Sequence, residues 1–205
     1  MIKCVLVNGY IPENTYFYVN DKTNHCFLID PGYEGKRLLD IANKNNYIID
    51  KIILTHGHFD HIGAINEIRK NIDIEVYAYI DSEKYLTNSY YNLSRFLGGE
   101  EVIINDVKYF RDGDIISLDD GFSVKVIHTP GHTEDSCVFY SEKDKVLFSG
   151  DTLFNNGIGN TSFPGGNYDT LISSIKNRIL TLDDEVKVYP GHGDETSIRS
   201  EKINF

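Results

Sequence analysis

Thr55-His56-Gly57-His58-Phe59-Asp60-His61 packs three imidazoles and a carboxylate into six residues, directly after the apolar run Ile52-Ile53-Leu54. Ile62-Gly63-Ala64-Ile65 follows and reads as the start of a helix. The apolar run must end where the polar groups begin. That gives a strand feeding a loop and then a helix, the place where open α/β sheets hold their ligands. Neutral imidazole and carboxylate are ligands for zinc, iron or manganese. A lone histidine reads as a hydrogen-bonding side chain; four donors at spacings of two, two and one read as a metal loop.

The rest of the chain alternates around this point. Ile2 to Val7 reads as a strand, and Gly9 to Asn14 as a loop. Thr15 to Val19 and Cys26 to Ile29 are β-branched and aromatic runs separated by Asn20-Asp21-Lys22-Thr23-Asn24, a hairpin signature. Asp30-Pro31-Gly32 closes the second run with turn chemistry. Leu38, Leu39, Ile41 and Ala42 recur at helical spacing, which predicts a helix over about 34–45. Ile74 to Tyr79 is a further strand. Between Asp81 and Gly99, Tyr85, Tyr90, Tyr91 and Phe96 lie among polar residues without a clean period. That stretch fits a substrate wall or a short helix pair capping the core. Short strands then recur at Val107 to Phe110, Ile115 to Leu118, Phe122 to Ile127, Cys137 to Tyr140 and Val146 to Phe148. Leu171, Ile172, Ile175, Ile179 and Leu180 mark a helix before a last strand at Val186 to Tyr189. Strands with helices, twice over, predict two similar halves packed sheet against sheet with helices outside. No linker breaks the 205 residues, so a single domain over 1–205 is expected.

Three more donors follow predicted strands, each after a glycine: Gly131-His132, Gly150-Asp151 and Gly191-His192. Glycine lets a backbone turn sharply and approach a crowded centre. With the opening loop they make seven ligands, enough for two metals sharing Asp151. His25 reads as a surface residue of the hairpin, and His128 as either an orienter of His132 or core packing.

Composition narrows the partners. The chain carries 20 basic and 31 acidic residues, a net charge of −11, which argues against broad nucleic-acid binding. No apolar run approaches the about 20 residues that span a bilayer, and the N-terminus lacks a signal-peptide pattern. Cys4, Cys26 and Cys137 lie in apolar runs without a CxxC spacing and read as buried thiols of a reducing compartment. A cytoplasmic protein acting on a small molecule, without nucleic-acid or membrane partners, is expected; the oligomeric state is open.

The HxHxDH loop and the later glycine–histidine, glycine–aspartate and glycine–histidine pairs resemble the metallo-β-lactamase superfamily, a four-layer αββα sandwich. Gly150-Asp151-Thr152-Leu153-Phe154, Phe163-Pro164-Gly165-Gly166 and Tyr189-Pro190-Gly191-His192-Gly193 are most similar to its small hydroxyacylglutathione hydrolase (glyoxalase II)-like members, as is the closing Glu201-Lys202-Ile203-Asn204-Phe205. The resemblance puts one metal on His56, His58 and His132 and a second on Asp60, His61 and His192, with Asp151 bridging. It implies two divalent ions, zinc first and iron or manganese as alternatives, that hold a hydroxide to attack a small thioester or ester. Asp60 is a candidate orienter or proton acceptor for that nucleophile.

The resemblance has gaps. Nine residues after Asp151, where glutathione-using relatives carry a basic residue, stands Asn160, the candidate substrate contact here. Asp194 stands where full-length glyoxalase II has a tyrosine, and no C-terminal glutathione-binding helical domain is expected after His192. The alternatives are a mononuclear-iron persulfide dioxygenase, a lactonase or other hydrolase of the same fold, an RNA-processing relative, a β-lactamase, and a non-catalytic metal-stabilised module.

Overall fold

A computed structural model describes residues 1–118 and 121–205. Its first sheet is built from β1 (Ile2–Val7), β2 (Glu13–Val19), β3 (His25–Ile29), β4 (Ile48–Ile53), β5 (Glu75–Tyr79) and β6 (Val107–Phe110), hydrogen-bonded in that order. β1, β2 and β3 run antiparallel, while β3 to β6 are parallel. The second sheet takes its strands from the other half: β7 (Ile115–Ser117), β8 (Ser123–His128), β9 (Cys137–Ser141), β10 (Val146–Gly150), β13 (Lys187–Pro190) and β14 (Thr196–Ser197). A small hairpin of β11 (Leu153–Phe154) and β12 (Gly157–Ile158) follows β10. The helices are α1 (Gly35–Asn45), α2 (Phe59–Ile62), α3 (Ile65–Arg69), α4 (Glu83–Leu86), α5 (Tyr168–Ser174), which continues as a π-helical turn to Ile179, and α6 (Ile198–Glu201).

Side-chain alternation along the strands sorts the interior into three apolar layers. In β2, Phe17 and Val19 point to one face and pack with Leu38 and Ala42 of α1 and Ile65 and Ile68 of α3. Tyr16 and Tyr18 point to the other face, and with Phe27, Ile29 and Ile53 they meet Phe122, Phe139 and Phe148 of the second half. Ile127, Val138, Leu147 and Val188 turn outward from the second sheet onto Leu171, Ile175 and Ile179. Helix, sheet, sheet and helix are thus stacked, the expected four-layer αββα arrangement. Aromatic rings fill the space between the sheets; the Tyr18 and Phe122 centroids are 4.5 Å apart.

Several local expectations change. The helix after the opening loop begins inside the motif: α2 already contains Asp60 and His61, and α3 follows it. Cys4 is exposed, because β1 is an edge strand whose alternation turns Val5 and Val7 inward; Cys26 and Cys137 are buried. His25 is half-buried and its Nδ1 lies 2.7 Å from Asp50, so it is not a free surface residue. Between Ile80 and Gly99 the chain forms short helical turns. Tyr85, Leu86 and Leu93 are buried, while Tyr90 and Phe96 remain exposed. The short helical turns agree with the capping reading, and Tyr85 stands 6.3 Å from the His58 ring.

Candidate metal centre

The seven predicted donors meet at one edge of the sandwich. β4 delivers the loop of His56 and His58, and Thr55 there accepts the Cys137 N–H through its carbonyl at 2.8 Å, joining it to β9. α2 presents Asp60 and His61. From the second half come His132 after β8, Asp151 directly after β10, and His192 after β13. Two glycines explain why these strand ends can crowd together. Gly150 has φ 48° and its hydrogen lies against Thr55, where a Cβ would come within 2.3 Å of Oγ1. Gly191 needs no unusual backbone, but a Cβ there would lie 2.6 Å from both Asp151 Oδ1 and His61 Cε1. Its N–H also donates to the Gly150 carbonyl at 2.9 Å, which ties β13 to β10 at the centre.

The donors fall into two clusters. His58 Nδ1 lies 3.2 Å from His56 Nε2 and 2.9 Å from His132 Nε2. Asp60, His61 and His192 form the second cluster, with His192 Nε2 3.4 Å from Asp60 Oδ2. Within each cluster the ligand atoms lie within 4.8 Å of one another. Asp151 faces both: its Oδ1 is 3.3 Å from His61 Nε2 and 3.5 Å from His192 Nε2, and its Oδ2 is 3.5 Å from His132 Nε2. The donor set fits metal ions by a further observation. His61 Nε2 and Asp151 Oδ1 are buried, point inward and have no hydrogen-bond partner among the described residues. Orphaned buried polar atoms are rare unless a ligand completes them.

The outer ring nitrogens fix which nitrogen faces the centre. His132 Nδ1 donates to the Asn160 carbonyl at 2.7 Å, His192 Nδ1 to the Pro12 carbonyl at 2.8 Å, and His61 Nδ1 to Asp30 at 3.0 Å. His56 Nδ1 lies 3.1 Å from Thr55 Oγ1. Asp30 reaches the site as well, which the turn reading of Asp30-Pro31-Gly32 missed. Its buried carboxylate accepts the Thr55 N–H at 2.7 Å and the Thr55 hydroxyl at 2.5 Å as well as His61. Behind it, buried Glu13 accepts the Thr15 hydroxyl at 2.8 Å and comes within 4.0 Å of His61 Nδ1. His128 does not orient His132. Its ring stacks on Tyr79 at 4.1 Å, and its Nε2 lies 2.9 Å from the Glu134 carbonyl. Asn160 touches the site through its backbone, while its side-chain oxygen accepts the Ser162 N–H at 2.8 Å.

The electrostatics leave the three-histidine cluster neutral and the carboxylates charged. The carboxylates around His61 and His192, in contrast, favour their protonated forms, so metal binding there has to displace protons. Burial, reinforced by His61 and the neighbouring imidazoles, holds His56 well below the ordinary histidine range. Burial with His132 pushes His58 down to about 3. Burial alone would raise Asp151 and lower His61. Their mutual attraction outweighs it and keeps Asp151 well below, and His61 well above, their usual ranges. For Asp60, burial is likewise outweighed, by His192 and His61, so its carboxyl lies below the usual value. The rim is aromatic: Phe163 stands 5.8 Å from the His58 ring and Phe154 6.0 Å from that of His192.

Comparisons with known proteins agree with this geometry. The sequence pattern described as Metallo-beta-lactamase superfamily matches residues 9–192. Hydroxyacylglutathione hydrolase GloC of Haemophilus influenzae is 36% identical over 184 residues, covering 89% of this chain and 86% of that protein. The crystal structure of BLEG-1 B3 metallo-beta-lactamase superposes with a TM-score of 0.93 at 33% identity, covering 99% of this chain and 97% of the other. That of TTHA1623 in a di-iron-bound form gives 0.86 at 31% identity, covering 98% and 96%. No helix among the described residues is long and apolar enough to cross a membrane. With its fold, its two His/Asp clusters and these relatives, the chain belongs to the metallo-β-lactamase superfamily and is a metal-dependent hydrolase of that fold.

Proposed function

We propose that the 205 residues act as one metallo-β-lactamase-like domain that hydrolyses a small thioester or ester in the manner of glyoxalase II-like enzymes. The observation that carries this reading is Asp151, whose two oxygens face two separate three-donor clusters. His56, His58 and His132 would hold one divalent ion and Asp60, His61 and His192 the other, zinc first, with iron and manganese as alternatives. Such a pair supplies Lewis acidity and a water that ionises near neutral pH. Asp60 is buried and its carboxyl is held in the charged form. That makes it a weak base and suits it to orienting the nucleophile rather than taking its proton. A thiolate leaves with an ordinary pKa of about 8.5, so it needs no strong general acid, and the aromatic rim provides none. The second cluster is complete, its three donor atoms within 4.8 Å of one another, which supports a dinuclear hydrolase over a single-iron persulfide dioxygenase. The name of the Haemophilus influenzae relative also favours the thioester.

Two expected results test this reading. After metal stripping and reconstitution, elemental analysis should find two ions per chain; one or none would overturn the dinuclear centre. On a panel of thioesters, lactones, β-lactams and persulfides, thioesters should give the highest kcat/KM. Oxygen uptake on a persulfide without thioester hydrolysis would place the chain among the dioxygenases instead.

Substrate choice at Asn160 gives a further prediction. An exposed amide already engaged with Ser162 N–H offers no cationic clamp, so S-lactoylglutathione should be a poor substrate. Asn160→Arg adds a charge-assisted contact of about 1.5–3 kcal/mol, a gain of roughly ten- to a hundredfold in kcat/KM. The gain should appear in KM, because the contact lies away from the reacting carbonyl and binds ground and transition states alike. Adding Asp194→Tyr removes the carboxylate two residues after His192 and tests whether it offsets that gain. Efficient wild-type turnover of S-lactoylglutathione in steady-state kinetics would refute the assignment.

A further inference from the structure

Asp135 is a buried carboxylate that no step above uses. It is fully enclosed, three residues after His132, and both of its oxygens lack a hydrogen-bond partner among the described residues. The hydroxyl of Ser82, also buried, is unpartnered as well. Burial lifts the Asp135 pKa to about 6; the polar groups of Thr133, Ser82 and the Gly57 backbone, close by but not in hydrogen-bonding geometry, draw it back toward the charged form. At neutral pH the group is therefore ionised, although no cation pairs with it among the described residues. An uncompensated buried charge is expensive. Such a violation of ordinary packing rules is characteristic of functional sites.

Its position gives the charge a use. Asp135 Oδ2 lies 3.3 Å from the place of a Gly57 Cβ, on the residue between His56 and His58. Tyr85 closes the other side of Gly57, where the same Cβ would meet its Cβ at 2.5 Å. The first cluster consists of three histidines, and the carboxylate that faces it, Asp151, is shared with the second cluster. The buried carboxylates Asp30, Asp60 and Glu13 are all grouped around His61. Among the five clustered histidines, His58 alone has an outer nitrogen that is buried without a partner among the described residues.

We propose that Asp135 is a positioning residue for the three-histidine site: it adds a counter-charge to the one Asp151 shares between both sites, and it packs against the Gly57–His58 backbone that presents His58 Nδ1. This rests on the dinuclear reading above. The site thereby gains affinity for a divalent cation at the expense of the metal-stripped fold, and the two effects have opposite signs.

Asp135→Asn, which preserves shape and removes the charge, separates them. Chelator-competition titration of zinc into the stripped protein should show one of the two ions bound ten- to a hundredfold more weakly, with the other within threefold of wild type. The stripped variant should melt at the wild-type temperature or several degrees above it. Unchanged affinity for both ions, equal weakening of both, or loss of affinity together with a lower melting temperature of the stripped protein would overturn the proposal. Asp135→Ala repeats the titration if the asparagine variant misfolds, with the same expected split. Wild type titrated in parallel keeps the tests apart: if it takes up two ions, a negative result counts against Asp135 alone, and if it does not, the dinuclear reading itself has failed.

Discussion

Asp151→Asn should lose metal and hydrolysis together. The substitution is nearly isosteric, so the β10 end keeps its shape. It removes the charge that lies 3.3 Å from His61 Nε2 and 3.5 Å from both His132 Nε2 and His192 Nε2. Two cations would then share a neutral amide, and their mutual repulsion would no longer be screened by a carboxylate between them. A fall of at least about a thousandfold in kcat/KM is expected, or about 4 kcal/mol of transition-state stabilisation. Elemental analysis should show fewer than two ions per chain. A variant with full activity and metal content would show that Asp151 is not the bridge.

Asp30→Ala should be the more damaging change to the fold. The Asp30 carboxylate serves three buried donors, the Thr55 N–H, the Thr55 hydroxyl and His61 Nδ1. Each donor left without an acceptor costs about 1–3 kcal/mol. A total of about 3–9 kcal/mol for the three donors corresponds to a drop of at least roughly 6 °C in melting temperature for a chain of this size. Metal held by His61 should weaken by roughly ten- to a hundredfold, because the ring loses the group that fixes its tautomer. Asp30→Asn, which can still accept the Thr55 N–H, should recover much of the stability and little of the metal affinity. Thermal melts and metal titrations of both variants check this; equal behaviour of the two would mean that His61 does not depend on the Asp30 charge.

The ligand loop and the strand ends were legible because metal ligation needs particular residue types at close spacing, and His56 to His61 carry nearly all of it locally. The sandwich was legible from period-two alternation in runs such as Thr15 to Val19. Asp30 and Glu13 were not. Asp-Pro-Gly is ordinary turn chemistry, and a glutamate before Asn-Thr is ordinary loop chemistry. Each becomes buried only through long-range pairing. β3 lies parallel to β4 with Ile29 opposite Ile53, so the residue after one strand meets the loop after the other. Asp30 then takes φ 50° and turns its carboxylate into that loop. Asn160 shows the opposite limit: its sequence position suggested a side-chain contact, whereas its carbonyl is the group that reaches His132. A backbone acceptor has no residue type and leaves no trace in a sequence. Asp135 also reads as a loop residue until the Gly57 turn encloses it.

The seven donors come from both halves of the chain, with His56 to His61 on the first and His132, Asp151 and His192 on the second. As the ribosome extends the chain, the first four donors emerge long before the last three. Neither sheet alone can offer a complete pair of sites. Full-strength metal capture therefore has to wait until the two sheets have docked, because contacts so distant in sequence are among the last to form. Two ions seated as proposed would clasp the sandwich at its open edge, and any opening of the two sheets would first have to release them. The metal content of a preparation would then double as a count of the molecules that have finished folding.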